Sequence, residues 1–125
     1  MKKIINTPDA PAAIGPYSQA IHSNGTLYVS GQLPVNPKTG EMVQDDISAN
    51  TKQVMENISA ILKTAGLDFS NVLKTTIFLA DMNDFAKVNE VYSSYFSSDF
   101  PARETVQVAR LPKDAKIEIS VIASL

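Results

Sequence analysis

The chain has 125 residues, with 11 Lys and Arg against 13 Asp and Glu for a net charge of −2, and 44% hydrophobic and 19% charged residues. That length suits a single domain over residues 1–125, and the composition is that of an ordinary soluble globular protein. An acidic balance with scattered cations, Lys2-Lys3 being the only adjacent pair, argues against nucleic acid as a partner.

The sequence contains no cysteine, which excludes disulfides and thiolate nucleophiles. No stretch approaches the roughly 20 apolar residues of a membrane span. The basic start Met1-Lys2-Lys3 precedes only two apolar residues, too few for a signal peptide, so a cytoplasmic location is expected.

Pro8, Pro11, Gly15 and Pro16 make the first sixteen residues an extended or irregular arm. Ser18–His22 and Leu27–Gln32 flank Ser23-Asn24-Gly25, a strong hairpin signal. Residues 34–40 read as a loop. From Asp45 or Asp46 to Ala65 the positions Ile47, Thr51, Val54, Ile58, Ile61, Leu62 and Ala65 recur at three and four, which predicts an amphipathic helix closed by Gly66. Val72–Ala80 is rich in β-branched and aromatic residues and reads as a strand. A second helix carries Phe85, Val88, Tyr92, Tyr95 and Phe96 on one face, with Asp81 or Asn83 as its cap. Two alternating runs, beginning at Arg103 and at Ile117, flank the turn residues Pro112-Lys113-Asp114 and read as a closing β-hairpin.

The order is thus β-β-α-β-α-β-β, an α+β pattern with two helices on one face of the sheet. Apolar residues on the other face require a cover, and a closed homo-oligomer supplies one most simply.

The chemistry is narrowed by what is missing. One histidine, His22, and no cysteine cannot build a zinc site or a Ser-His-Asp triad, and His22 itself reads as an exposed residue at a hairpin end. Asp45-Asp46 suits a helix cap better than a metal. Ser30-Gly31 lacks the flanking glycines of a nucleophile elbow. Arg103 has two readings, a surface ion pair or a bidentate clamp for a carboxylate. Glu118 interrupts Ile117-x-Ile119-x-Val121. It is either solvent-exposed or, if its face is covered, a carboxyl group of raised pKa suited to acid/base work. In the hairpin reading Arg103 and Glu118 stand on the same side of adjacent strands. Tyr17 reads as a packing residue at a strand start, and Tyr92 and Tyr95 as core.

Several motifs carry a resemblance that runs essentially end to end: Ile14-Gly-Pro-Tyr17-Ser-Gln-Ala, Leu27-Tyr-Val-Ser30-Gly31-Gln-Leu-Pro, Asn50-Thr51 through Ala65-Gly66-Leu67, Asp81-Met-Asn-Asp-Phe85 through Asn89-x-x-Tyr92, and Phe100-Pro-Ala-Arg103 through Ile117-Glu118-Ile119. With these the sequence resembles the RidA (YjgF) family of reactive-intermediate imine deaminases. The resemblance implies a chorismate-mutase-like α+β fold with a mixed sheet, a homotrimer with three clefts between subunits, and no metal or organic cofactor. It implies hydrolysis of 2-imino acids such as 2-iminobutanoate and 2-iminopropanoate, and of their enamine tautomers such as 2-aminoacrylate, to 2-oxo acids and ammonia. Such imines arise from pyridoxal-phosphate enzymes that dehydrate serine or threonine.

Carried over by motif, Arg103 clamps the substrate carboxylate and Glu118 activates the attacking water. Tyr17 and Ser30 line the cleft from the neighbouring chain, and backbone groups of Gly31 and Thr105 bond the imine nitrogen or the water. Phe85 and Asn89 border the pocket. Thr105 stands where many members have cysteine, so thiol-dependent properties of relatives do not transfer. Two alternatives accompany this reading: an endoribonuclease, and a non-catalytic regulatory trimer that binds a small carboxylate.

Overall fold

In a computed structural model describing all of residues 1–125, six strands form one sheet in the order β1-β2-β3-β6-β4-β5. They are β1 (Lys3–Ile5), β2 (Ala20–Ser23), β3 (Thr26–Gln32), β4 (Val72–Leu79), β5 (Ala102–Gln107) and β6 (Ile117–Ser124), with helices α1 (Ile47–Thr64) and α2 (Phe85–Ser93). The β2–β3 hairpin turns through Asn24 (φ 50°) and Gly25 (φ 76°), the left-handed pair that a two-residue turn demands. Asp46 caps α1 by accepting from the Ala49 N–H at 2.9 Å. Gly66, at φ 79°, releases the chain from that helix.

Three expectations are corrected. The arm contains a short edge strand, β1, paired with β2 from Lys3↔His22 to Ile5↔Ala20. Its prolines begin only at Pro8 and leave residues 3–5 free to pair. His22 is half-buried, not exposed, on the same face as its partner Leu27, and its Nε2 has no hydrogen-bond partner. The cap residue Asp81 serves a 3₁₀ turn, Met82–Asp84, that leads into α2.

The larger correction concerns the closing hairpin. β5 runs parallel to β4, and β6 pairs antiparallel with both β3 and β4, so β4 separates the two runs. The crossover that parallel strands need is supplied by α2. Composition explains the sorting. Alternate residues of β6 (Ile117, Ile119, Val121 and Ala123) are all at most 3% exposed, which suits a central strand. Ala-Arg-Glu-Thr-Val-Gln is too polar for the interior and takes the edge.

The core lies between one sheet face and the helices. Val54, Met55, Ile58, Ile61 and Leu62 of α1 and Val88 and Tyr92 of α2 belong to one cluster with Leu27, Val29, Ile77, Leu79 and the apolar face of β6. Each such side chain contributes about 1.5–3 kcal/mol by leaving water. The opposite sheet face has no helix. On it Tyr28 is 51% exposed and Val106 42% exposed. No helix is long and apolar enough to cross a membrane.

Candidate functional site

The register of the sheet divides the candidate residues into two groups. Thr75 of β4 pairs with Arg103 on one side and Val121 on the other, whereas Phe78 pairs with Val106 and Glu118. Residues 75 and 78 point to opposite faces of a strand. Arg103 and Thr105 therefore lie on the helix side of the sheet, and Glu118 lies on the uncovered side. The expectation that Arg103 and Glu118 share a face of adjacent strands does not hold within one chain.

The first group surrounds Arg103. Its Nη1 donates to Asn89 Oδ1 at 2.6 Å, and its Cζ stands over the rings of Phe85 (5.4 Å) and Tyr92 (5.1 Å). The 3.6-residue helical period puts Phe85, Asn89 and Tyr92 on the α2 face toward β5. All these contacts are with neutral groups. The ion pairs of the chain are Lys74–Glu104 and Arg110–Asp114, and neither involves Arg103. Its charge is thus held in place without an internal counter-ion. Beside it opens a cleft of about 400 Å³ lined by Asn89, Tyr92, Ser93, Phe100, Pro101 and Arg103.

Thr105 is the next inward-facing residue of β5, and its Oγ1 is buried without a partner. Its backbone faces outward. The Val108 N–H donates to Leu79 O, and the period of two along a strand turns the backbone of Glu104 and Val106 toward β4 as well. The backbone N–H and C=O of Arg103 and Thr105 are left at the open edge of the sheet.

The second group lies around Glu118. Its carboxylate has no ion pair, and burial raises its pKa above the ordinary 4.5. β3 bulges between Val29 and Gln32, which places Ser30 and Gly31 outside the regular ladder opposite β6. A Cβ on Gly31 would come within 2.7 Å of the Glu118 carboxyl carbon, so any larger residue here would oblige the carboxylate to move aside. Ser30 has a positional use that its motif does not reveal. Its Oγ donates to Ser18 O at 2.6 Å and its N–H to Gln19 O at 2.9 Å. These bonds hold the segment carrying Tyr17, whose side chain is 53% exposed.

Sequence reasoning missed Gln19. Its buried amide accepts from the Thr7 N–H at 2.7 Å and donates to Thr7 O at 3.0 Å and Pro11 O at 2.8 Å, tying down the proline-rich arm before Tyr17. A glutamine in a strand-like run carries no local signal of such a role. Tyr92 is core, as expected, and it also faces Arg103, with its hydroxyl 2.8 Å from Thr75 Oγ1. Burial raises its pKa, opposed by the weaker effects of Thr75 and Arg103, so the phenol stays neutral.

Comparisons with known proteins agree with this architecture. The family model described as Endoribonuclease L-PSP matches residues 7–125. A protein of Bos taurus named 2-iminobutanoate/2-iminopropanoate deaminase is 54% identical over 123 residues, 98% of this chain and 90% of the bovine one. The crystal structure of YyfA from Yersinia pestis, of the conserved Rid protein family, matches the whole of both chains with a TM-score of 0.98 and 52% identity. E. coli TdcF with bound serine matches over 98% of each chain, with a TM-score of 0.94 and 46% identity. A mixed six-stranded sheet carrying two helices is thus the fold of Rid proteins. The chain belongs to the RidA (YjgF) family, whose model bears the Endoribonuclease L-PSP description.

Proposed function

We propose that this protein is a reactive-intermediate deaminase that hydrolyses 2-imino acids, 2-iminobutanoate and 2-iminopropanoate among them, to 2-oxo acids and ammonia. The observation that carries the reading is the state of Arg103. It is fixed by Asn89, Phe85 and Tyr92 at the wall of an open cleft, with no carboxylate of its own chain paired to it. With Nη1 engaged, Nη2 and Nε remain to take a substrate carboxylate in a bidentate pair. The bovine relative's name supports the same activity.

Glu118 serves as the base. An imine carbon is already electrophilic, so positioning and one proton acceptor are the main requirements. Water adds through oxygen to C2 of the N-protonated imine while Glu118 takes its proton, and the imine nitrogen becomes an amine. Glu118 then returns the proton to that nitrogen. As the C–N bond breaks, Glu118 takes the hydroxyl proton, leaving ammonia and the 2-oxo acid. A carboxyl group whose pKa burial raises is better suited to both transfers than an exposed one. Backbone groups of Gly31 and Thr105 hold the nitrogen or the water, and Tyr17 and Ser30 close the cleft.

Because the two groups face opposite sides of one sheet, we place the complete site between copies of the chain, with Arg103 from one and Glu118 from its neighbour. A homotrimer covering the exposed sheet face fits this requirement and the apolar residues Tyr28 and Val106 found there. Substrate then comes from pyridoxal-phosphate enzymes that dehydrate serine or threonine.

The test generates 2-iminobutanoate in place with a threonine dehydratase and follows its disappearance with wild type, Arg103→Ala and no added protein. Wild type is expected to accelerate hydrolysis and Arg103→Ala to lose most of that effect. Equal rates in all three would end the assignment. Cleavage of RNA by wild type and Arg103→Ala alike, without imine hydrolysis, would favour the endoribonuclease alternative.

A further inference from the structure

We infer that Tyr92 is a positioning residue for substrate, acting through Arg103: its ring, anchored by Thr75, holds the guanidinium where a carboxylate can be gripped. The inference rests on the deaminase reading only for the identity of that carboxylate.

An arginine on an edge strand has many rotamers, and a clamp that must be ordered at each encounter binds weakly. Three contacts restrict Arg103. Two of them, Asn89 and Phe85, come from half-buried side chains of α2. The third is different in kind. Tyr92 is 3% exposed, its ring lies 5.1 Å from Arg103 Cζ, and its hydroxyl is bonded to Thr75 Oγ1 at 2.8 Å. Thr75 is itself 2% exposed and is the register partner of Arg103 on β4. The ring is therefore tied to the strand beside the arginine that it holds, and helix and strand cannot shift independently at this point. Phe96 packs against the ring as well, with its centroid 5.0 Å from that of Tyr92.

A residue needed only for core volume would be replaceable by any apolar side chain of similar size. Attraction between a cation and a ring face depends instead on the electrons of the ring. A bound carboxylate leaves this contact intact because it uses the outward donors of the guanidinium. Loss of the ring should therefore weaken binding of substrate while the proton transfers at Glu118 proceed as before.

The experiment places phenylalanine and its stepwise fluorinated analogues at position 92, which keep ring volume while draining the ring face of negative charge. Tyr92→Leu is prepared beside them. KM for 2-iminobutanoate is expected to rise steadily with fluorination and by about 5- to 30-fold in Tyr92→Leu, with kcat held within about threefold. In parallel, rotation of the Arg103 guanidinium about Nε–Cζ is followed by ¹⁵N NMR, and is expected to be slow in wild type and to quicken along the series. A flat KM and unchanged rotation through the fluorinated series would overturn the inference. So would losses of kcat that track melting temperature, as plain core filling would give. A wild type that rotates slowly but turns over no imine would remove the deaminase reading alone, and the NMR series would still decide the role of Tyr92.

Discussion

Arg103 and Glu118 face opposite sides of one sheet, with the whole of β4 between their strands. An active site that needs both must then draw them from different copies of the chain. Mixing Arg103→Ala subunits with Glu118→Gln subunits, each strongly impaired alone at low substrate concentration, should restore activity. Random one-to-one mixing in a closed oligomer leaves about a quarter of clefts with both residues intact, so recovery of roughly that fraction is expected. Mixed oligomers as inactive as their parents would place both residues in the same subunit's site.

Arg103→Ala removes a charge-assisted bidentate contact. KM for 2-iminobutanoate should rise by about 10- to 100-fold, the effect of about 1.5–3 kcal/mol of lost binding. Arg103→Lys should recover only part of it, because a single ammonium does not reproduce the fork. Steady-state kinetics in the coupled dehydratase assay decides the point.

Glu118→Gln should bind substrate and lose turnover by about 10²–10⁴-fold. In wild type, kcat should fall as pH is lowered through the Glu118 pKa, on a limb lying above pH 4.5 because burial raises that value. Stability should move the other way. A raised carboxyl pKa stabilises the folded state fully below the ordinary value and ceases to do so as pH rises through the folded one. The glutamine variant, which mimics the protonated form, should therefore melt higher than wild type at pH 7. The two should converge below pH 4.5. An identical difference at both pH values would contradict the assignment of the shift to burial.

Gly31→Ala tests the approach of backbone to carboxylate. The glycine is not in the left-handed region, so alanine should fold, yet its Cβ would lie 2.7 Å from the Glu118 carboxyl carbon. The carboxylate must move, and turnover should drop by about 10-fold or more with little change in melting temperature. Full activity would show that Glu118 has freedom to spare.

Gln19→Leu leaves the Thr7 N–H and the carbonyls of Thr7 and Pro11 without their partner in the interior. It should lower stability by about 2–4 kcal/mol, measured by denaturant titration at matched protein concentration. Because the arm leads to Tyr17, KM should rise as well. A loss of stability with kinetics unchanged would separate the arm from the cleft.

Much of this protein was decided by its sequence alone. Period and punctuation set both helices, the Asn24-Gly25 hairpin and the β4 strand, since these depend on interactions within a few residues. The motifs around Arg103 and Glu118 pointed to the family, because residue types at fixed spacing are legible in the sequence itself. Pairing was another matter. Alternation in Arg103–Gln107 and Ile117–Val121 marks two strands but not their neighbours, and a turn between them resembles a hairpin. Only the packed sheet sends apolar β6 to the centre and polar β5 to the edge, since burial is shared among all strands at once. That choice puts Arg103 and Glu118 on opposite faces and makes Tyr92 the support of an arginine as well as core. It is a consequence of long-range competition for the interior, which no local run of residues contains.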